Sequence, residues 1–294
     1  MKYILIVFLL FYVPLKAACE LPKDIKLLSK DISIESLQNH TKDTKRNFET
    51  LKSLCVHQVS FKEKKYHWQM LLVTNPDAPK GPFWFLPHDD ENTAFDTAVY
   101  ATKKYGGGFL AVLSGDKRYF HGQDPNRNFG TSNKTAKTCK KQKYPAPKYS
   151  NIIFAIINNF RAKGMPYLAL HNNKDGWYKN GGTGGVSVLN SSSTVQSYQA
   201  SKYINTKTTG LEDEDSLVYI AGLEKRPNPN KLKQILNLGI NVKYEVIDAS
   251  SNDCSLSNYV VLNIGVNDYF NLEVEHGDLA THKAMVDKII SIVN

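Results

Sequence analysis

An α/β fold, a three-layer sandwich with a central mixed, mostly parallel sheet flanked by helices, follows from two observations on the sequence. Short apolar runs recur from about Tyr66 onward, namely HWQMLLVT, GPFWFLP, GGFLAVLS, PYLALHN, DSLVYIAG, YVVLNIG and YFNLEVE, each bounded by Gly, Pro, Asn or Asp. Continuous apolarity of this length suits strands buried on both faces. Between the runs, TAFDTAVYATKKYG (93–106) and SNIIFAIINNFRAKG (150–164) carry helical spacing and end at a glycine. Strands alternating with helices predict a sheet covered by helices. Residues 20–60 are polar with scattered Leu and Ile, as in KRNFETLKSLC, and read as helices. The glycine- and serine-rich stretch NGGTGGVSVLNSSSTV (180–195) reads as a flexible loop.

The chain opens MKYILIVFLLFYVPLKAACE, an apolar run from Tyr3 to Leu15 behind one lysine and ahead of Ala17 and Ala18. A membrane span needs about 20 apolar residues, so this run is too short and reads as a secretory signal peptide. The expected organisation is a signal peptide over 1–18, an N-terminal helical segment over 19–65 and one main domain over 66–294. The expected location is periplasmic or extracellular. Cys19, Cys55, Cys139 and Cys254 lie far apart with no CxxC pair. In an exported chain they point to up to two disulfides, with three pairings open, and they make poor metal ligands. The formal net charge is +9, much of it in NKTAKTCKKQKYPAPK (133–148). Such a run is a solvated loop, or it attracts an anionic cell-wall or membrane surface. Nucleic acid is not an expected partner, because no aromatics are interleaved as in a recognisable module.

Candidate chemistry gathers at strand ends. His88 follows FWFLP and His171 follows PYLAL, and in open α/β sheets polar groups at the carboxyl ends of strands face the ligand crevice. Local sequence offers two readings of HDDE (88–91). The acidic residues suit a helix N-terminus, while His88 and Glu91 together with His171 supply the two His and one Glu of a catalytic zinc site. A polar island, GQDPNRNFG (122–130), carries Asp124, Asn126, Arg127 and Asn128. It is an Asx-Pro turn, and its arginine fork can also pair with a carboxylate. Glu273 and Glu275 fall on one face of a strand in YFNLEVEHGD, where a buried charge is costly unless paired or functional.

The order HDDE, DPNRNF, LHNN, LEVE resembles the zinc carboxypeptidase superfamily, with its HxxE pair, DxNRxF segment, later strand-end His and late Glu. It is also similar to the succinylglutamate desuccinylase/aspartoacylase branch, which has an arginine about eight residues before the NR pair; here Arg118 lies nine before Arg127. The resemblance spans roughly residues 70–280. It implies a zinc carboxypeptidase-like layering and one Zn2+ per chain on His88, Glu91 and His171. It further implies Glu273 as general base, Arg118 as oxyanion stabiliser, and Asn126 and Arg127 as the carboxylate clamp of the substrate. Glu275 competes with Glu273 for the base, and no residue clearly matches the tyrosine that typical carboxypeptidases bring over the substrate. Tyr219 falls in the right interval but reads as a buried strand residue.

The function expected is a secreted zinc metallopeptidase that releases a C-terminal amino acid from peptides, with cell-wall stem peptides a natural substrate in a bacterium. An N-acyl amino acid deacylase of the aspartoacylase type uses the same residues, and a non-catalytic binding protein on the same fold is the third reading. The partner in either enzymatic case is a peptide or N-acyl amino acid carrying a free carboxylate.

Overall fold

The structure, a computed structural model, describes residues 19–139, 141–180, 182–202, 211 and 213–293. The signal-peptide reading of 1–18 and part of the 180–195 loop lie outside them. Among the described residues ten strands form one sheet: β1 (Ser29–Asp31), β2 (Cys55–Glu63), β3 (Tyr66–Thr74), β4 (Phe83–Leu86), β5 (Gly108–Val112), β6 (Tyr167–Asn173), β7 (Val195–Tyr198), β8 (Leu217–Gly222), β9 (Asn241–Val246) and β10 (Tyr269–Glu275). Their order is β1-β2-β3-β5-β4-β6-β10-β8-β9-β7. Among the described residues four short helices precede β2, namely α1 (Lys23–Lys26), α2 (Ile34–Leu37), α3 (Lys42–Arg46) and α4 (Phe48–Leu51). Those that follow β2 are α5 (Asn92–Tyr105), α6 (Asn133–Thr138), α7 (Pro147–Phe160), α8 (Pro229–Asn237), α9 (Leu256–Tyr259) and α10 (Leu279–Val293).

The sheet is mixed, with a parallel centre. β5, β4, β6 and β10 run parallel to one another, as do β8 and β9. The other pairings, β1–β2, β2–β3, β3–β5, β8–β10 and β7–β9, are antiparallel. "Mostly parallel" therefore holds for the centre only. The reason is that β2 and β3 form a hairpin, Glu63 facing Tyr66 across a turn with Lys64 at φ 53°, and a hairpin is antiparallel by construction. The N-terminal segment is helical only in part, since β1 and β2 extend this edge of the sheet.

Both faces are covered, as the apolar runs required. Alternation along β4 sends Trp84 and Leu86 into one core with Phe95, Ala98 and Val99 of α5 and Met285, Val286 and Ile289 of α10. Phe83 and Phe85 enter the opposite core with Ile153, Phe154 and Ile157 of α7 and Leu256 of α9. The run YVVLNIG, expected as a strand, is instead helical: α9 continues as a wider π-turn over Val260–Ile264 and stops at Gly265 in the left-handed region. Ser255 caps it by accepting from Asn258 N, so a capped start and an αL stop overrule β-branched propensity.

Two disulfides tie loops to this frame. Cys19–Cys55 anchors the start of the described chain to β2. Cys139–Cys254 joins the end of α6 to the segment before α9. No helix among the described residues is long and apolar enough to cross a membrane. In the basic segment Lys134, Lys137, Lys141 and Lys143 are exposed.

His282 of α10 is fully buried, and neither ring nitrogen has a hydrogen-bond partner among the described residues. Burial depresses its pKa to about 3, whereas an unfolded histidine titrates near 6.5. Below about 6.5 the unfolded chain thus binds a proton that the folded chain refuses, so this contribution to stability is full above that pH and declines as pH falls toward 3. Denaturant titrations of wild type and His282→Leu should show wild type losing more stability than the variant between pH 7 and 4.

Candidate metal centre

The parallel centre of the sheet changes direction between β4 and β6. After β4 the chain moves outward to β5 through α5, while after β6 it moves the other way, toward β8 and β9. The two strands pair only at Trp84–Leu168 and Phe85–Ala169. β4 then ends at Leu86, before Pro87, and β6 continues to Asn173, which opens a crevice at their carboxyl ends. His88 enters from one side and His171 from the other, and β10 places Glu273 beside His171 in parallel register.

Alternation along β6 assigns two tasks to neighbouring residues. His171 shares the face of Tyr167 and Ala169, while Asn172 turns to the other face, toward α5. There Asn172 Oδ1 accepts from Ala94 N at 2.9 Å and caps the helix. Glu91 occupies the N-cap position of α5 without capping it through its side chain. The helix-cap reading of HDDE therefore does not describe Glu91, whose carboxylate is left for the histidines. Asp89 has a structural task, since its Oδ2 accepts from Ser114 N at 2.7 Å and Asp116 N at 3.0 Å.

His88, Glu91 and His171 are buried and each offers one ligand atom within 4.8 Å of the others. His88 Nδ1 lies 2.8 Å from Glu91 Oε1, and His171 Nδ1 lies 3.0 Å from Glu91 Oε2. That second approach is not aligned as a hydrogen bond, so among the described residues Oε2 is a buried carboxylate oxygen with no hydrogen-bonding partner. An orphaned buried oxygen calls for a specific explanation, and a cation between the three side chains provides one. The charges point the same way. Burial opposes protonation of His88, but Glu91 and Asp124 outweigh it and raise the ring to about 9. Burial would raise Glu91, yet the two histidines hold it well below the usual carboxylate range. A proton on the His88 ring thus supplies positive charge that a divalent ion would supply if these residues act as ligands. The donor set, two imidazoles and one carboxylate, fits zinc or a similar borderline metal.

In the sequence Asp124 belongs to the Asx-Pro turn and heads the DPNRNF segment, and neither gives it a role of its own. Its Oδ1 lies 2.9 Å from His88 Nε2, on the ring nitrogen away from Glu91. A carboxylate there fixes the tautomer and ring orientation of a metal-binding histidine. Asp124 also accepts from Asn126 N at 2.9 Å, and the turn is braced by Tyr149 Oη donating to Pro125 O at 2.9 Å. The DPN spacing could have indicated the turn; its histidine partner, 36 residues away, was not readable.

Around this group lie the other expected residues. Glu273 is buried, its pKa raised by burial, and accepts from Asn271 Nδ2 at 3.0 Å. Glu275 has Asp175 and Asp213 as charged neighbours and lines neither of the cavities that meet at the histidines. Arg118 Nη1 contacts Glu91 Oε1 at 3.0 Å, with the side chain 44% exposed. Asn126 Nδ2 is 3.4 Å from His171 Nε2. Arg127 Nε pairs with Asp253 Oδ2 at 3.0 Å, a partner the sequence did not suggest. An outer cavity of about 440 Å³ is lined by Asp90, Glu91, His171, Thr183, Glu273 and His276 among others. An inner one of about 330 Å³ shares Arg118, His171 and Glu273 with it and extends past Arg127 to Tyr219, Glu245 and Tyr269. Tyr219 is a strand residue, as expected, but it faces this inner cavity.

No family model matches the sequence, and no curated protein matches it. Among solved structures, a chain described as a "putative metallopeptidase" from Shewanella denitrificans is 9% identical, over 89% of this chain and 90% of that one, with a TM-score of 0.44. So loose a likeness carries no argument about this chain, and the site rests on its own geometry.

Metal analysis of the purified protein supplied with zinc should find about one ion per chain, and His88→Ala should lose it. Asp124→Asn should keep the site but weaken zinc binding by about 10- to 100-fold, measured by competition with a chelator.

Proposed function

We propose that the chain is a zinc-dependent hydrolase that removes the carboxyl-terminal residue of peptides outside the cytoplasm. The observation that carries this reading is the buried His88–Glu91–His171 group with Glu273 beside it, set where an outer and an inner cavity meet. Space on both sides of a reacting bond suits a peptide, and the smaller inner space suits a single terminal residue. The motif order noted in the sequence supports the same assignment, and two disulfides suit an oxidising compartment.

Zinc held by His88, Glu91 and His171 supplies Lewis-acid polarisation of the scissile carbonyl and a water of lowered pKa. Glu273 takes the proton of the attacking water and delivers it to the leaving amine. Its burial raises its proton affinity, and Asn271 fixes one of its oxygens, both of which suit a general base. Arg118, at the rim of the group, donates toward the oxygen on which negative charge develops. Asn126 and Arg127 orient the terminal carboxylate, with the substrate competing with Asp253 for the guanidinium.

Purified protein should release a free amino acid from blocked dipeptides. Glu273→Gln should lower kcat by roughly 10²- to 10⁴-fold while its zinc content stays at the wild-type level. Equal loss of zinc and activity would assign Glu273 to the metal site instead.

A further inference from the structure

One carboxylate in the inner cavity has no part in the chemistry above. Glu245 stands on β9, in register with Ala221 of β8 and Val195 of β7. It lines the cavity with Tyr219, Ser257 and Tyr269, while Val242, Tyr244 and Val246 on the opposite face of β9 pack toward the core. Its hydrogen-bond partners are neutral: Ser257 Oγ donates to Oε2 at 2.8 Å and Asn258 Nδ2 to Oε1 at 3.3 Å. Among the described residues no Lys, Arg or His pairs with it, because the nearby Arg127 is taken by Asp253 and by Asn126 O at 2.9 Å. Burial, with the charge of Asp253 behind it, pushes the Glu245 carboxyl up to about 7. A carboxylate so placed is undercompensated, and one cation would relieve it.

We infer that Glu245 recognises the side chain of the substrate's terminal residue and that this side chain is cationic, as in lysine, ornithine or arginine. The inference rests on the hydrolase reading for where the substrate lies: with its carboxylate at Asn126 and Arg127, its side chain has the inner cavity to enter, where Glu245 stands. An ammonium brings three donors and no acceptor. The Glu245 carboxylate and the Ser257 hydroxyl that line the same cavity can accept them. A neutral chain leaves the carboxylate unpaired, and an acidic chain adds like charge to it, so the site discriminates by penalty as well as by attraction.

The test compares L-lysine with L-norleucine, which has the same carbon chain without the ammonium. Calorimetric titration of the zinc-loaded wild-type protein should show lysine binding at least about tenfold more tightly, and Glu245→Gln should abolish the preference. Blocked dipeptides ending in lysine or norleucine, assayed on the same preparations, should show the same order in kcat/KM. If the dipeptides are cleaved but wild type binds norleucine as well as lysine, the assignment of Glu245 is overturned while the hydrolase reading stands. If lysine binds with a preference that depends on Glu245 and no dipeptide is cleaved, the recognition group stands and the hydrolase reading falls. Binding of neither amino acid overturns the inference. The wild-type comparison of the two ligands does not depend on the variant folding.

Discussion

A single buried carboxylate, that of Glu91, lies between two imidazoles and under one guanidinium, and the arrangement of the surrounding elements depends on it. Neither oxygen is available to cap α5, although the residue stands at the N-terminus of that helix. The capping task passes to Asn172, which is fixed in the sheet beside His171. One strand thus supplies a candidate ligand on one face and a helix cap on the other. His88 is held in turn by Glu91 and by Asp124, so its ring has little freedom on either side. Buried charge of this density is costly unless every member has a partner, and here one oxygen lacks a hydrogen bond among the described residues.

The sheet supplies the precision. His171 and Glu273 face one another on adjacent parallel strands and Asn271 lies one alternation earlier on the same face, so a shift of register by one residue would turn Glu273 away from the cavity. The polar island that carries Asp124, Asn126 and Arg127 holds a single 3-10 turn, Pro125–Arg127, capped by Asp124, and no strand or α-helix. It is pinned instead by Tyr149 from the core, by Gln123 donating to Arg127 O at 3.0 Å, and by Phe129 N bonding to Cys254 O at 3.0 Å, next to the Cys139–Cys254 bridge. Loops that present chemistry on a rigid sheet need such anchors to keep their side chains in place.

Much of the frame was legible because continuous apolar runs and glycine-ended helices are local signals. β3, β4, β5, β6, β8 and β10, and the helices α5 and α7, fall on segments read that way. What escaped was encoded by alternation or by distant partners. β2 in CVHQVSFKE and β9 in NVKYEV interleave charged or polar residues with apolar ones, which hides a strand whose second face looks into a loop or cavity rather than a core. Lys243 illustrates this: its ammonium is buried against Ser187 O at 2.6 Å and Asn190 O at 2.5 Å. YVVLNIG went the other way, a strand-like composition made helical by its cap and its stop. In the site, the gathering of His88, Glu91 and His171 was readable from strand ends and spacing. The partners of each residue were not, because Asp124 on His88, Arg118 on Glu91 and Asp253 on Arg127 are contacts across the fold with no pattern in the chain.

The central claim is that Glu91 and the two histidines form a metal site rather than a self-contained cluster of buried charge. The most direct test is anomalous diffraction from crystals grown with zinc, collected on either side of the zinc absorption edge. The account predicts one strong peak per chain within about 2.0–2.2 Å of a nitrogen of His88, a nitrogen of His171 and an oxygen of Glu91. Crystals that show the three side chains still bonded to one another, with no peak between them, would contradict it.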